Sequence, residues 1–232
     1  MSENIKKTTK AFRVDLNSSE NQSILKPIAR YSFHNQAHQV NEAVKKIDKL
    51  IKNAPYSNDD IILNHNKIKE AFFSPFKPQL KNAQVFLSHS HADKNKALEV
   101  KNYLESETNH KVFVDSLFWD YKDDVLNELA EYDDISRIED AFTLILRESL
   151  QDMIEKCPYF VFLQSKNSVS NQGLSRITYS AWIYEELKIA HSISESRPIP
   201  MMESMQVFHD ISPFLEHLET ITLKKLSQQI NS

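Results

Sequence analysis

Three short stretches of this chain combine residue types that can do chemistry. The first is Ser88-His89-Ser90-His91-Ala92-Asp93. Small hydroxyls at a free helix N-terminus suit a phosphate-bearing ligand; the plainer reading is turn chemistry, with Asp93 as the helix N-cap. The second is Asp115-Ser116-Leu117-Phe118-Trp119-Asp120-Tyr121. Read as a loop, its aromatics could flank a flat ring such as adenine or nicotinamide, or pack over a sheet edge or a neighbouring chain. The third is Trp182-Ile183-Tyr184-Glu185-Glu186-Leu187. Residues four apart share a helix face, so Trp182 and Glu186 lie side by side. Ile183, Leu187 and Ala190 form the adjacent core stripe, and Glu185 is expected to point to solvent. A carboxylate beside an indole can face a ribose while the ring limits water, although such a pair also occurs on helices that bind nothing. The His-x-His pair has no cysteine or carboxylate pattern to complete a metal site, so no metal is expected.

The elements that must position these groups follow from hydrophobic spacing. Val85-Phe86-Leu87, Val112-Phe113-Val114 and Phe160-Val161-Phe162-Leu163 are short runs apolar on both faces, as buried parallel strands are. Between them, helices are expected from Asp93 through Leu104, from about Arg137 to Lys156, and from Ser180 to Ile193. Alternating strands and helices predict an α/β fold with a parallel sheet covered by helices. Ligands of such sheets bind beyond the carboxyl ends of the strands, where the three stretches fall.

The first third reads differently. Residues 1–22 are polar and read as loosely attached. Val40, Val44, Ile47 and Ile51 predict a helix over 36–53. Asp59 and Asp60 are expected to cap a second helix with Ile61, Ile62, Ile68, Phe72 and Phe73 on its apolar side. Pro75 and Pro78 then break the chain. The expected organisation is a helical extension over 1–80 and an α/β domain over 81–232.

Composition removes several functions. The chain has 232 residues, a net charge of −4 and no long basic run, so nucleic acid is not the expected partner. It holds one glycine, Gly173. P-loops, dinucleotide fingerprints and the nucleophile elbow each need more than one, which excludes all three. With one cysteine, Cys157, no internal disulfide can form. No run approaches the ~20 apolar residues that span a bilayer, and residues 1–10 do not read as a secretory signal. The expectation is a cytoplasmic protein without membrane contact.

Taken together, the stretches resemble a Toll/interleukin-1 receptor (TIR) domain of the bacterial, NAD-cleaving kind found in antiphage defence systems. VFLSHSHADKNKALEVKNYL resembles the family's first box, and KVFVDSLFWDYKDDVL its second strand and following loop. CPYFVFLQSKNSVS resembles a later strand with a serine-containing loop, and YSAWIYEELKIA the helix with the family's Trp-x-x-x-Glu pattern. The resemblance implies a flavodoxin-like doubly wound sheet and makes Glu186 the catalytic residue. Ser88, His89, Ser90, Asp115, Ser116, Phe118, Trp119 and Trp182 become substrate-contact candidates. It implies NAD+ as substrate, no further cofactor, self-association through the domain, and a separate effector that senses the product. The alternative within the family is a module that only recruits other TIR domains. The chain departs from the family pattern in having no glycine in the second-box loop and a longer stretch between Asp115 and Cys157.

Overall fold

The computed structural model describes residues 9–27, 36–53, 56–57, 60–61, 64–74, 81–130, 136–172, 175–195 and 209–232. Their elements run β1 (Lys10–Asp15), α1 (Ser19–Ile24), α2 (Gln36–Lys52), β2 (Tyr56–Ser57), β3 (Asp60–Ile61), α3 (His65–Phe73) and β4 (Ala83–Ser88). A 3-10 turn (His91–Asp93) then leads to α4 (Lys94–Glu107), β5 (Lys111–Val114), α5 (Ser116–Ala130), α6 (Ser136–Lys156), β6 (Tyr159–Gln164), β7 (Ser170–Gln172) and β8 (Ser175–Thr178). The chain continues through α7 (Ala181–Glu195), β9 (His209–Asp210), α8 (Ser212–Glu216), β10 (Glu219–Thr220) and α9 (Leu223–Ile230). Two compact bodies result. The first takes the described residues of 1–28, 83–115 and 151–232, the second those of 29–82 and 116–150.

A five-stranded sheet, in the order β10-β1-β6-β4-β5 and parallel throughout, forms the first body's centre. The runs in β4 and β6 are buried on both faces because helices cover the sheet. Phe86 and Phe160 are register partners whose rings stack at 5.7 Å. The helix α4 links β4 to β5 and turns Ala97, Val100 and Leu104 inward, the three- and four-residue spacing of an amphipathic helix. From β5 the chain returns to β6 on the other side of β4. The strand order therefore reverses at β4, which makes its carboxyl end a topological switch point. A smaller antiparallel sheet, β7-β8-β9, completes this body.

The segment expected to be loosely attached instead contributes β1, paired over its whole length with β6 and on its other side with β10. Phe12 and Val14 are buried within it and Leu16 just after it. Arg13 donates to Thr220 Oγ1 at 2.6 Å. Asn21 locks the arrangement: its Nδ2 donates to Asp15 O at 2.7 Å and its Oδ1 accepts the Leu223 amide at 2.9 Å.

The second body is helical, with a two-residue antiparallel ribbon, β2-β3. Val44 and Ile47 of α2 are buried, as their spacing predicts, and so are Ile68, Phe72 and Phe73 of α3. The Phe72 ring lies 4.7 Å from Tyr121 and 5.0 Å from Phe142. The Tyr121 hydroxyl donates to Phe72 O at 2.9 Å; burial and, secondarily, the charge of Glu42 push its pKa far up. The second predicted helix starts later than expected. Asp60 and Ile61 are in β3, and Asn64 caps α3 by accepting the Lys67 amide at 3.1 Å. Asp59, Ile62, Pro75 and Pro78 lie outside the described residues, as does the side chain of Val40. Among the described residues no helix is long and apolar enough to cross a membrane.

Candidate functional site

The first body gathers Ser88, His89, Asp115 and Glu186 at the carboxyl ends of its strands. Ser88 ends β4 and His89 follows it; Asp115 is the first residue after β5. Leu87 and Val114 are register partners, so Ser88 and Asp115 leave the ladder side by side. Glu186 arrives from α7, whose Ile183, Leu187 and Ala190 are buried as the predicted stripe. That stripe fixes the helix rotation and sends Glu186 inward.

Burial is near complete: Ser88 and Glu186 are 0% exposed, His89 4% and Asp115 7%. His89 Nδ1 stands 3.0 Å from Asp115 Oδ1. The Ser88 hydroxyl, both His89 ring nitrogens and both Glu186 carboxyl oxygens have no hydrogen bond of ordinary geometry among the described residues. Buried polar atoms in folded proteins are nearly always paired, so this concentration at one place marks it as a site for a ligand or water.

Electrostatics single out Glu186. Desolvation by burial holds its pKa well above the carboxylate range, the charge and hydrogen bonding of Asp115 raise it further, and the Ser88 hydroxyl opposes them weakly. Ionised carboxyls only accept hydrogen bonds. A bond between Asp115 and Glu186 therefore exists only while one of them carries a proton.

The other expected residues divide. Trp182, one turn before Glu186, is half-buried. Ser90 is half-buried and begins the 3-10 turn, its carbonyl accepting the Asp93 amide at 2.8 Å. Residues 116–121, read as a loop, are instead the first turns of α5. Ser116 is buried there and belongs to the second body; the side chains of Phe118 and Trp119 lie outside the described residues. Glu185, expected in solvent, is only 20% exposed at its side chain and meets Lys188 Nζ at 3.4 Å.

Asp93 makes no cap to α4. Its carboxylate instead accepts the Ser165 hydroxyl and, at 2.8 Å, the Asn167 amide Nδ2. Ser165 in turn accepts the Asn167 amide N–H at 2.9 Å, and its own N–H donates to Ser168 Oγ at 2.8 Å. This network joins the loops after β4 and β6 at the switch point. Reading the residues in order left Ser165, Asn167 and Ser168 out of the site; the only signal was a run of short polar side chains after a buried strand.

Among the described residues no group of three or more His, Cys, Asp or Glu side chains is gathered to hold a metal ion. The arrangement offers a desolvated carboxyl pair, an imidazole and a hydroxyl, a set suited to stabilising positive charge on a bound group. No family model matches the chain, and no curated protein and no solved structure matches it.

Proposed function

We propose that this chain is a TIR-type NAD+ nucleosidase in which Glu186 carries cleavage of the nicotinamide–ribose bond. The observation that supports it most is Glu186 itself. A carboxyl four residues after Trp182, fully buried and without ordinary hydrogen bonds among the described residues, stands beside Ser88 and Asp115 at the ends of parallel strands. The order β5-β4-β6 is the 2-1-3 portion of a flavodoxin-like sheet. In that scheme β1 and β10 fill the two further positions, so the chain reaches the five-strand layer by a route of its own.

The chemistry follows from charge. Nicotinamide bound to ribose is cationic and departs as a neutral base, taking the bond's electron pair, so no acid is needed to protonate it. Positive charge then develops on the ribose ring, as in glycoside cleavage. A carboxylate fixed in a dry site stabilises that charge more than water does, because its dipoles and charge need no reorganisation. In this reading Ser88 and His89 meet ribose or phosphate oxygens. Capture by water gives ADP-ribose; capture by an internal or foreign nucleophile gives a cyclic or conjugated product that a separate effector in antiphage defence could sense.

One observation favours the second reading, a recruiting module without catalysis. Glu186 is 0% exposed, so substrate reaches it only after the site opens. The discriminating experiment is incubation of the full chain, and of Glu186→Ala, with NAD+ at high protein concentration. Mass spectrometry follows nicotinamide and ADP-ribose-containing products. Release that disappears in the variant is the expected result. Equal release by both forms refutes Glu186 as the residue that carries cleavage; none from assembled wild-type protein refutes the enzyme.

A further inference from the structure

We infer that Arg13 of β1 holds the diphosphate of the substrate, so that a dinucleotide lies across the sheet with its nicotinamide ribose at Ser88 and its phosphates at β1. This rests on the reading of the strand ends as an NAD+ site, and it supplies an anchor for the anionic half of that substrate.

The register of the strands places the two residues. Arg13 pairs with Phe162 of β6, and Phe162 pairs with Ser88 of β4. Partners in a parallel ladder present their side chains on the same face of the sheet, so Arg13 and Ser88 share a face. Two strand spacings separate them, roughly 10 Å. On its other side Arg13 pairs with Thr220 of β10. The Thr220 hydroxyl oxygen accepts from Arg13 Nε at 3.1 Å and from Nη2 at 2.6 Å.

Both residues keep a donor in reserve. Arg13 Nη1 is the only buried Lys or Arg side-chain nitrogen without a hydrogen bond among the described residues, and the buried Ser88 hydroxyl has none either. Folded chains leave few such groups unpaired. Two in one row, toward the carboxyl ends of the strands, call for the acceptor oxygens of a ligand. A guanidinium is the side chain whose shape best matches phosphate oxygens, and Thr220 holds this one with Nη1 left over. The nearest carboxylate in sequence, Asp15, accepts the Asn17 amide at 2.8 Å. Burial and then the charge of Arg176 lower the Arg13 pKa, with Asp15 opposing them; a bound anion offsets both. Lys188, the buried lysine of α7, is engaged by Glu185 at 3.4 Å and stands over the Tyr184 ring at 5.9 Å.

Exposure along the row sets the direction of the substrate. Thr220 is exposed and Arg13 half-buried, whereas Phe162 and Ser88 are 0% exposed. A diphosphate is costly to strip of water and belongs at the wetter end, on Arg13. The bond whose cleavage leaves a ribosyl cation belongs at the dry end, where a fixed carboxylate acts most strongly. The opposite direction would bury the phosphate charges beside Glu186 and bring the cation to an arginine.

Inorganic pyrophosphate added to the full chain at low ionic strength tests the anchor, with the heat of binding as readout. The wild type is expected to bind it. Arg13→Gln, which can still donate to Thr220, is expected to bind it about ten- to a hundredfold more weakly. Arg13→Lys keeps the charge without the fork and should fall between the two; it serves if the glutamine variant does not fold. No binding by the wild type, or equal binding by wild type and variant, overturns the inference. Nicotinamide release then separates the anchor from the reading beneath it. In Arg13→Gln the KM for NAD+ is expected to rise by a similar factor with kcat nearly unchanged, while the KM for nicotinamide riboside, which has no phosphate, stays at the wild-type value. An equal loss on both substrates overturns the assignment of the diphosphate. If pyrophosphate binding depends on Arg13 but no condition releases nicotinamide, the anion site stands and the NAD+ reading falls.

Discussion

Replacing Glu186 with glutamine keeps the shape of the side chain and removes its titration, and the effect on stability can be worked out. In the unfolded chain a glutamate loses its proton near pH ~4.3. In the folded protein burial, and then Asp115, hold the Glu186 pKa well above that. Between the two values folding takes up a proton, so wild-type stability is fully present below the unfolded pKa and declines as pH rises to the folded one. The slope is about 1.4 kcal/mol per pH unit. For a chain of this length ~1 kcal/mol moves Tm by roughly 2–4 °C. Relative to Glu186→Gln, wild-type Tm should therefore fall by about 3–6 °C per pH unit on leaving pH ~4, and the gap should stop widening at the folded-state pKa. Scanning calorimetry of both proteins at closely spaced pH values measures it. A constant offset reports the hydrogen bonds of the amide; only the difference in slope reports the proton. Parallel curves from pH ~4 to ~7 would show that Glu186 is ionised in the folded protein. That result would refute the argument from burial.

Two structural links give further expectations. Ser165→Ala removes a donor from the buried carboxylate of Asp93 and should cost about 1–3 kcal/mol in urea unfolding; an unchanged midpoint would mean the loops after β4 and β6 do not depend on it. Asn21→Ala removes the shorter of two donors to Asp15 O and unpairs the Leu223 amide. Hydrogen exchange should then quicken first across α9, and uniform protection there would contradict the assigned tie.

The parts of the fold legible in the sequence are those whose burial is two-sided. Val85 to Leu87, Val112 to Val114 and Phe160 to Leu163 read as strands because helices cover both faces of the sheet and leave no place for a polar residue. β1 escaped notice for the opposite reason. Arg13 and Asp15 alternate with Phe12 and Val14, a pattern that in a polar neighbourhood looks like an unstructured segment. Arg13 is tolerated because Thr220 receives its guanidinium. The helical rotation that turns Glu186 inward was legible from Ile183, Leu187 and Ala190. Its closeness to Asp115 was not, since strand order sets that. Asp93 shows the limit most directly: its position suggested a cap, and its partners lie more than seventy residues away. The turn from Asp115 into α5 carries no proline or glycine to mark a helix start, so its aromatics looked like a loop.

The position of β1 also orders events in time. Its partner β6 lies about 150 residues further along the chain, and its other neighbour, β10, comes still later. At ~5–20 residues per second of synthesis, Lys10–Asp15 waits roughly 10–30 s for the first backbone that can pair with it. The β4-α4-β5 segment, by contrast, closes within about thirty residues. The sheet thus begins to assemble at what becomes its far edge, and its earliest-made strand joins only after β4, β5 and β6 are made. Such long-range pairing makes folding slow and leaves an unpaired strand in the nascent chain as a template for wrong partners. The charges at Lys10, Arg13 and Asp15, which hid β1 from a reading of the sequence, are the kind of residues that keep a waiting strand from finding them.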